Sequence, residues 1–248
     1  MNSGPIACTA PLVHDCAFKL LKDEPPGKVL DIPAGQGAFA KRLDELKFNV
    51  WCGDIQPDPH LLKHRKLALL DLNLGLPYKN ESFNYVVCLE GIEHIENPHH
   101  LIHEFNRTLK IGGKCIISTP NVLSIKSRLS YLFYGYPNYF HLMTDVDHLT
   151  GRERKIDHIN PITILELRYI LAQTGFEVEE VETNRVRGKR SPLFFLLKAI
   201  ISKRGRRSAQ DPARALIRQL LLSDTLLFGE ILVVKARKFA HSNKTSEQ

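Results

Sequence analysis

Between Lys28 and Ser118 short apolar runs end in Gly, Asp or Pro clusters and alternate with helix-length amphipathic stretches. That rhythm predicts β-α-β units in a parallel sheet. The predicted strands are Lys28–Ile32, Asn49–Asp54, Leu67–Asp71, Asn84–Leu89 and Lys114–Ser118, with the Val, Ile and Leu content of strands covered on both faces. A helix is predicted from Asn97-Pro98, a capping residue followed by proline. It carries Leu101, Ile102, Phe105 and Leu109 at core spacing, with Gly112-Gly113 as its stop. After Pro120 the rhythm breaks, and residues 122–160 show many aromatics but no clear strand. Helical spacing resumes over Ile162–Thr174, where Ile164, Leu167, Ile170 and Leu171 share a face and Gly175 ends the run. A strand is predicted near Phe176–Val181 and a last one at Leu226–Val234, before a polar tail.

The 248 residues, 43% hydrophobic and 25% charged, suit one domain over 1–248 with its own core and exclude a collagen, a disordered chain or a disulfide scaffold. No run of about 18 apolar residues is present, and the first residues lack a basic start and an apolar signal core, so neither a membrane span nor secretion is expected. Five scattered cysteines without a C-x-x-C pair are read as reduced thiols of a cytoplasmic protein. The net charge of +7 is local: nine bases and no acid lie between Arg185 and Gln210, which leaves the rest of the chain slightly acidic.

The chemistry concentrates where the first strand meets a glycine-rich turn, Asp31-Ile32-Pro33-Ala34-Gly35-Gln36-Gly37. Glycines there permit a tight turn and close approach of a ligand to the main chain. The spacing also fits a dinucleotide fingerprint, so Asp31 decides: a carboxylate at that strand tip repels a pyrophosphate but favours an ammonium and a sulfonium. Asp31 thus points to S-adenosylmethionine rather than a nicotinamide dinucleotide. Asp54 ends the next strand, where a carboxylate accepts hydrogen bonds from ribose hydroxyls, and Asp71 ends the one after, facing an adenine amino group.

These residues, with Gly53-Asp54-Ile55, Asp71-Leu72-Asn73, the run Phe83 to Ile95 containing Leu89-Glu90 and Glu93-His94, and Leu109-Lys110-x-Gly112-Gly113-Lys114 leading to Thr119-Pro120-Asn121, resemble the class I S-adenosylmethionine-dependent methyltransferases. The similarity is greatest to the subgroup of ubiquinone-biosynthesis, small-molecule and glycan O-methyltransferases. One departure is Pro33, where that family often has the first glycine of its loop. The resemblance implies an α/β, Rossmann-like seven-stranded sheet, mostly parallel with an antiparallel last strand and helices on both faces. It implies that Ala34, Gly35 and Gly37 line the methionine part of the cofactor, Asp54 the ribose, Ile55 and Leu72 the adenine faces, Asp71 the adenine amino group, and Cys88, Leu89 and Glu90 its open side.

A hydroxyl acceptor must lose a proton, and His94, just past the fourth strand, is the first candidate base, with His158 the second and His148 below it; the structural alternative is that Glu93 and His94 only open the next helix and bond neighbouring backbone. Residues 122–160 are read as an acceptor-side insertion or lid, the alternative being that the aromatics from Tyr131 to Phe140 are the apolar side of an inserted helix pair. No metal is expected: His60/His64 and His99/His100/His103 lack an H-E-x-x-H pattern or a completing carboxylate. Residues 185–224 form a basic and apolar insertion before the last strand. Its part 185–207 suits an anionic membrane surface at the inner membrane face, packing on the sheet, or, less well, nucleic acid. The reading is methyl transfer to oxygen of a small-molecule or lipid-linked sugar acceptor. The rivals are an RNA or protein methyltransferase gripping through 185–207, or a cofactor-binding partner protein without turnover.

Overall fold

The computed structural model describes residues 4–56, 66–140, 158–187, 191–205 and 212–242. In chain order the elements are α1 (Val13–Leu21), β1 (Lys28–Asp31), α2 (Ala38–Glu45), β2 (Asn49–Asp54), β3 (Lys66–Leu69), β4 (Phe83–Leu89), α3 (Pro98–Thr108) and β5 (Leu109–Pro120). They are followed by α4 (Ile125–Tyr134), α5 (Ile164–Gln173), β6 (Phe176–Thr183), α6 (Pro192–Gly205), α7 (Pro212–Leu221), α8 (Asp224–Phe228) and β7 (Ile231–Lys238). The seven strands form one sheet in the order β3-β2-β1-β4-β5-β7-β6, with β7 antiparallel to both its neighbours and the remaining pairs parallel. This is the expected Rossmann-like sheet.

Alternate strand positions face opposite sides, so each strand feeds two cores. Leu30, Val86, Cys115, Ile117 and Val234 pack with Leu101, Ile102 and Phe105 of α3 and Leu167, Ile170 and Leu171 of α5. Val29, Val50, Tyr85, Val87, Ile116 and Val233 pack with Val13, Ala17 and Leu21 of α1 and Phe39 and Leu43 of α2. Helix starts follow local chemistry: Asn97 accepts from the His100 amide, Ser124 from that of Ser127, and Thr163 from that of Glu166.

Three boundaries differ from the pattern-based expectation. The run Leu226–Val234 is not one strand. Ser223 caps α8 by accepting from the Leu226 amide, so Leu226–Phe228 are helical and β7 starts at Ile231. The strand then continues through charged residues because each finds a partner: Lys235 meets Glu24 at 2.8 Å, and the fully buried Lys238 donates to the carbonyls of Asn106 and Leu109. Helix α3 stops at Thr108, not at Gly112-Gly113; Leu109 already pairs with Phe83, and the glycines lie within β5. Finally β3 ends at Leu69, so Asp71 sits two residues past the strand.

Of the expected lid over 122–160, α4 and residues up to Phe140 are described, and so is His158; residues 141–157 lie outside the described residues. The insertion over 185–224 contains α6 and α7 and ends where α8 begins. Its residues 188–190 and 206–211, which hold part of the basic run, lie outside the described residues, as do His60 and His64.

Candidate active site

Strands β1 and β4 are neighbours at the centre of the sheet, and the order runs outward from them in both directions, so a crevice opens at their carboxyl ends. β1 delivers Asp31, 2% exposed, to that edge. The chain then passes a cis Ile32-Pro33 bond into the glycine loop, where the Ala34 amide donates to the Gly53 carbonyl at 3.0 Å. Gly35 and Gly37 have φ of 52° and 80°, left-handed values at which glycine carries no Cβ strain, so glycine is favoured at both. The Gly35 amide donates to Asp54 Oδ2 at 2.8 Å, and Asp54 Oδ1 accepts from the Gln56 amide at 2.9 Å.

Asp54, Ile55, Asp71, Leu72, Gly91 and His94 share the wall of one cleft of about 200 Å³. Leu72 is buried and Ile55 exposed. Asp71 Oδ1 holds its turn by accepting from the backbone and side-chain amides of Asn73, at 2.8 and 3.1 Å. At the end of β4, Leu89 is buried and Glu90 takes a φ of 49°, its amide donating to Ser118 Oγ at 2.8 Å. Burial pushes the Glu90 carboxyl up, although the Ala10 amide donates to it.

His94 closes a short 3₁₀ turn, Ile92–His94, after β4. Its ring centroid lies 4.8 Å from that of His158, edge to face. The structure therefore brings together two residues 64 positions apart, because the Glu93 carbonyl accepts from the amides of Ile159 and Asn160, both at 2.9 Å. Asn160 also donates through its side chain to the Ile95 carbonyl at 3.2 Å. Glu93 between them is fully buried, and burial pushes its carboxyl well above the usual range. Thr119 is its polar neighbour, yet neither Glu93 carboxylate oxygen has a donor at hydrogen-bond geometry among the described residues.

A sequence profile described as a methyltransferase domain matches residues 9–181. The chain belongs to this methyltransferase family. A protein of Methanocaldococcus jannaschii is 35% identical over 110 residues, which is 43% of this chain and 51% of the relative. A ubiquinone biosynthesis O-methyltransferase of Xanthomonas oryzae is 30% identical over 105 residues, 38% of this chain and 43% of the relative. The chain thus spans about half the length of the curated relatives it matches. The crystal structure of a SAM dependent methyltransferase from Archaeoglobus fulgidus superposes with a TM-score of 0.57 at 16% identity, covering 92% of this chain and 93% of that one. The fold is that of the class I S-adenosylmethionine-dependent methyltransferases.

Sequence reasoning missed two parts of this methyltransferase's site. One is the amino-terminal segment, which runs over the glycine loop: the Ile6 amide donates to Gln36 Oε1 at 2.8 Å, Cys8 flanks Gly35, and Ala10 reaches Glu90. Asn184 anchors it by donating to the Pro11 carbonyl at 2.9 Å. Residues 4–11 carry no periodicity or motif that could have marked them. The other is a polar knot whose charge is felt at Glu90, in which Tyr139, Arg185 and Arg187 all donate to the buried carboxylate of Glu230. Burial alone would raise that carboxyl, but the hydrogen bonds from Arg185 and Tyr139 and the two guanidinium charges bring it down to about 2. Lys126, Asn138, Arg187 and Phe228 line a smaller cavity next to it, of about 90 Å³.

Proposed function

We propose that the chain transfers a methyl group from S-adenosylmethionine to an oxygen atom of a small-molecule or lipid-linked sugar acceptor. The observation that carries the reading is the single cleft joining Asp54 and Asp71 to His94 beside the glycine loop. The residues fit the cofactor: both loop glycines adopt the open backbone, Asp54 is already fixed against Gly35, and Leu72 and Ile55 offer apolar surface between two acids. In this reading Asp31 faces the methionine ammonium, while Ala34, Gly35 and Gly37 line the methionine chain. Asp54 accepts from the ribose hydroxyls, Ile55 and Leu72 flank the adenine, and Asp71 accepts from its amino group. Leu89 and Glu90 border the open side.

Bound there, S-adenosylmethionine supplies a methyl carbon already activated by a sulfonium sulfur. What remains for the protein is to orient the acceptor and to take the proton from its hydroxyl. A ring nitrogen of His94 or His158 is the receiving group; His94 lines the cleft, and the ring contact sets His158 beside it. The relatives named ubiquinone biosynthesis O-methyltransferases favour oxygen as the acceptor atom.

A lipid-borne acceptor is favoured by exposed apolar surface. Tyr131, Leu132, Phe133 and Tyr134 at the end of α4 and Phe195, Leu196 and Ile200 on α6 are all solvent-exposed. Both helices attach to α8: Ile125 and Leu129 pack with Leu227 and Phe228, and Lys198 bonds Asp224. Among the described residues no helix is long and apolar enough to cross a membrane; the contact proposed is a peripheral one.

The test is transfer of radiolabelled methyl from S-adenosylmethionine into a cell extract divided into organic, aqueous small-molecule, nucleic-acid and protein fractions. Label in the organic or small-molecule fraction is expected. Label in nucleic acid or protein would replace this reading with a macromolecular acceptor gripped by residues 185–207, and binding without label anywhere would favour a non-catalytic partner protein.

A further inference from the structure

The end of β5 and the start of β7 form one corner of the sheet, where Pro120 pairs with Ile231. Asn121 ties the corner together: its amide donates to the Glu230 carbonyl at 3.0 Å and its side chain to the Leu226 and Gly229 carbonyls at 2.9 and 3.0 Å. β5 lies beside β4, with Leu89 opposite Ser118, so this corner belongs to the same sheet edge as Glu90. A cavity of about 90 Å³ opens there, with Ser124, Lys126, Asn138, Arg187, Phe228 and Glu230 in its lining. Pockets that take a whole drug-sized ligand run to roughly 300–1,000 Å³, so this one suits a single group of a larger molecule. Glu230 is the one acid in the lining, and both its oxygens are engaged by Tyr139, Arg185 and Arg187. Arg187 spends only Nε on it, at 2.9 Å, and keeps its side chain 55% exposed. Lys126 makes no ion pair among the described residues; its Nζ stands 6.0 Å from the centre of the Tyr139 ring. Lys126 also sits in the first turn of α4, which holds no acid. A cation there opposes the helix dipole, a local cost that an anion in the cavity would offset.

We propose that Lys126 and Arg187, with Ser124 and Asn138 beside them, hold a phosphate group of the methyl acceptor. Lys126, Arg185 and Arg187 against the single carboxylate of Glu230 leave an excess of two positive charges. A phosphate monoester, with a charge of about −1.5 to −2 near neutral pH and three acceptor oxygens, balances that excess, and a carboxylate does not. The exposed guanidinium edge of Arg187 matches two phosphate oxygens at once. The inference rests on the methyl-transfer reading and narrows its acceptor to a sugar phosphate or a lipid-linked sugar phosphate. Held at the end of β5, the phosphate leaves the rest of the acceptor to lie along the carboxyl ends of β5 and β4, the side on which His94 follows β4. The helix that presents Lys126 exposes Tyr131, Leu132, Phe133 and Tyr134 at its other end, about 12 Å further on, so one helix offers a charged anchor and an apolar surface to a lipid-borne phosphate.

The experiment titrates the full chain with inorganic phosphate by calorimetry, and with acetate at the same ionic strength. One phosphate per chain is expected, with acetate at least about tenfold weaker. Lys126→Ala and Arg187→Gln should each weaken phosphate binding roughly tenfold or more. Lys126→Ala removes no ion pair among the described residues, and an unchanged affinity for S-adenosylmethionine shows that both variants keep their fold. In parallel, methyl transfer is measured into cell extract before and after its phosphates are removed by mild acid and phosphatase, and the label is expected to vanish with them. Phosphate that does not bind, or that binds both variants as well as the parent, overturns the site whether or not methyl transfer is found. Transfer that survives dephosphorylation overturns the acceptor assignment, and phosphate competing with phosphatidylglycerol vesicles for the chain would then identify a membrane headgroup as the occupant. No transfer even into untreated extract refutes the methyl-transfer reading and the acceptor assignment with it, while the titration still decides the site.

Discussion

The backbone amide of Gly35 donates to the carboxylate of Asp54 at 2.8 Å, so one acid joins the glycine loop after β1 to the end of β2. Asp54 thus shapes the loop itself. Asp54→Ala is expected to remove charge-assisted hydrogen bonds worth about 1.5–3 kcal/mol, a loss of roughly ten- to a hundredfold in affinity for S-adenosylmethionine. Isothermal calorimetry measures it directly. Unchanged affinity would take Asp54 out of the cofactor site.

Gly91 is required by packing rather than by backbone conformation. Its φ is −125°, open to any residue, but a Cβ there would lie 2.5 Å from Pro33 Cδ and 3.0 Å from Cys88 Sγ. Gly91→Ala must therefore push the β4 end away from the proline of the glycine loop. A loss of about 1–3 kcal/mol in urea unfolding is expected. Because Pro33 and Gly91 both line the cleft, cofactor affinity should fall with it. Stability within about 0.5 kcal/mol of the parent would mean that this contact yields freely.

The knot around Glu230 gives the fold an acid limit. Its carboxyl sits near 2 in the folded chain, below its usual 4.5, so the folded state binds fewer protons than the unfolded one. The stabilisation is complete above about pH 4.5 and is lost as pH falls from there toward 2. At 6% side-chain exposure the group is little screened, and the full shift corresponds to something on the order of 3 kcal/mol. Chemical melts at stepped pH should show the parent losing more stability across that window than Glu230→Gln does. Parallel curves would exclude Glu230 as the source.

How much of this was legible beforehand follows from where the signal lies. The strand positions and the acids at their ends were readable because a parallel sheet imposes apolar runs punctuated by loop chemistry, and Asp31, Asp54 and Gly35 fall at those punctuations. The start of β5 and the bounds of β7 were misread for one reason. Apolarity marks burial, not secondary structure, and the partners that let Lys235 and Lys238 extend β7 come from Glu24 and from the backbone of α3, far away in sequence. The pairing of His94 with His158 and the amino-terminal segment over Gln36 share that property: each depends on a long-range hydrogen bond from a backbone amide that no local pattern encodes.

The exposed apolar stretches of α4 and α6 make the membrane reading testable. Phe195 and Leu196 are each 58% exposed and Leu132 74%, surface that a protein facing only water gains nothing by presenting. The bases crowded around α6 in sequence would each add up to about 1 kcal/mol at an anionic surface, while the aromatic rings enter the headgroup region. In flotation assays the protein is expected to rise with vesicles containing phosphatidylglycerol at low salt and to stay down with neutral ones. A Phe195→Ser, Leu196→Ser double variant should bind less at every salt concentration, whereas charge substitutions in 203–207 should act mainly at low salt. These two responses separate apolar insertion from electrostatic attraction. If the parent chain fails to float with anionic vesicles, the exposed helices serve some other contact and the acceptor arrives from solution.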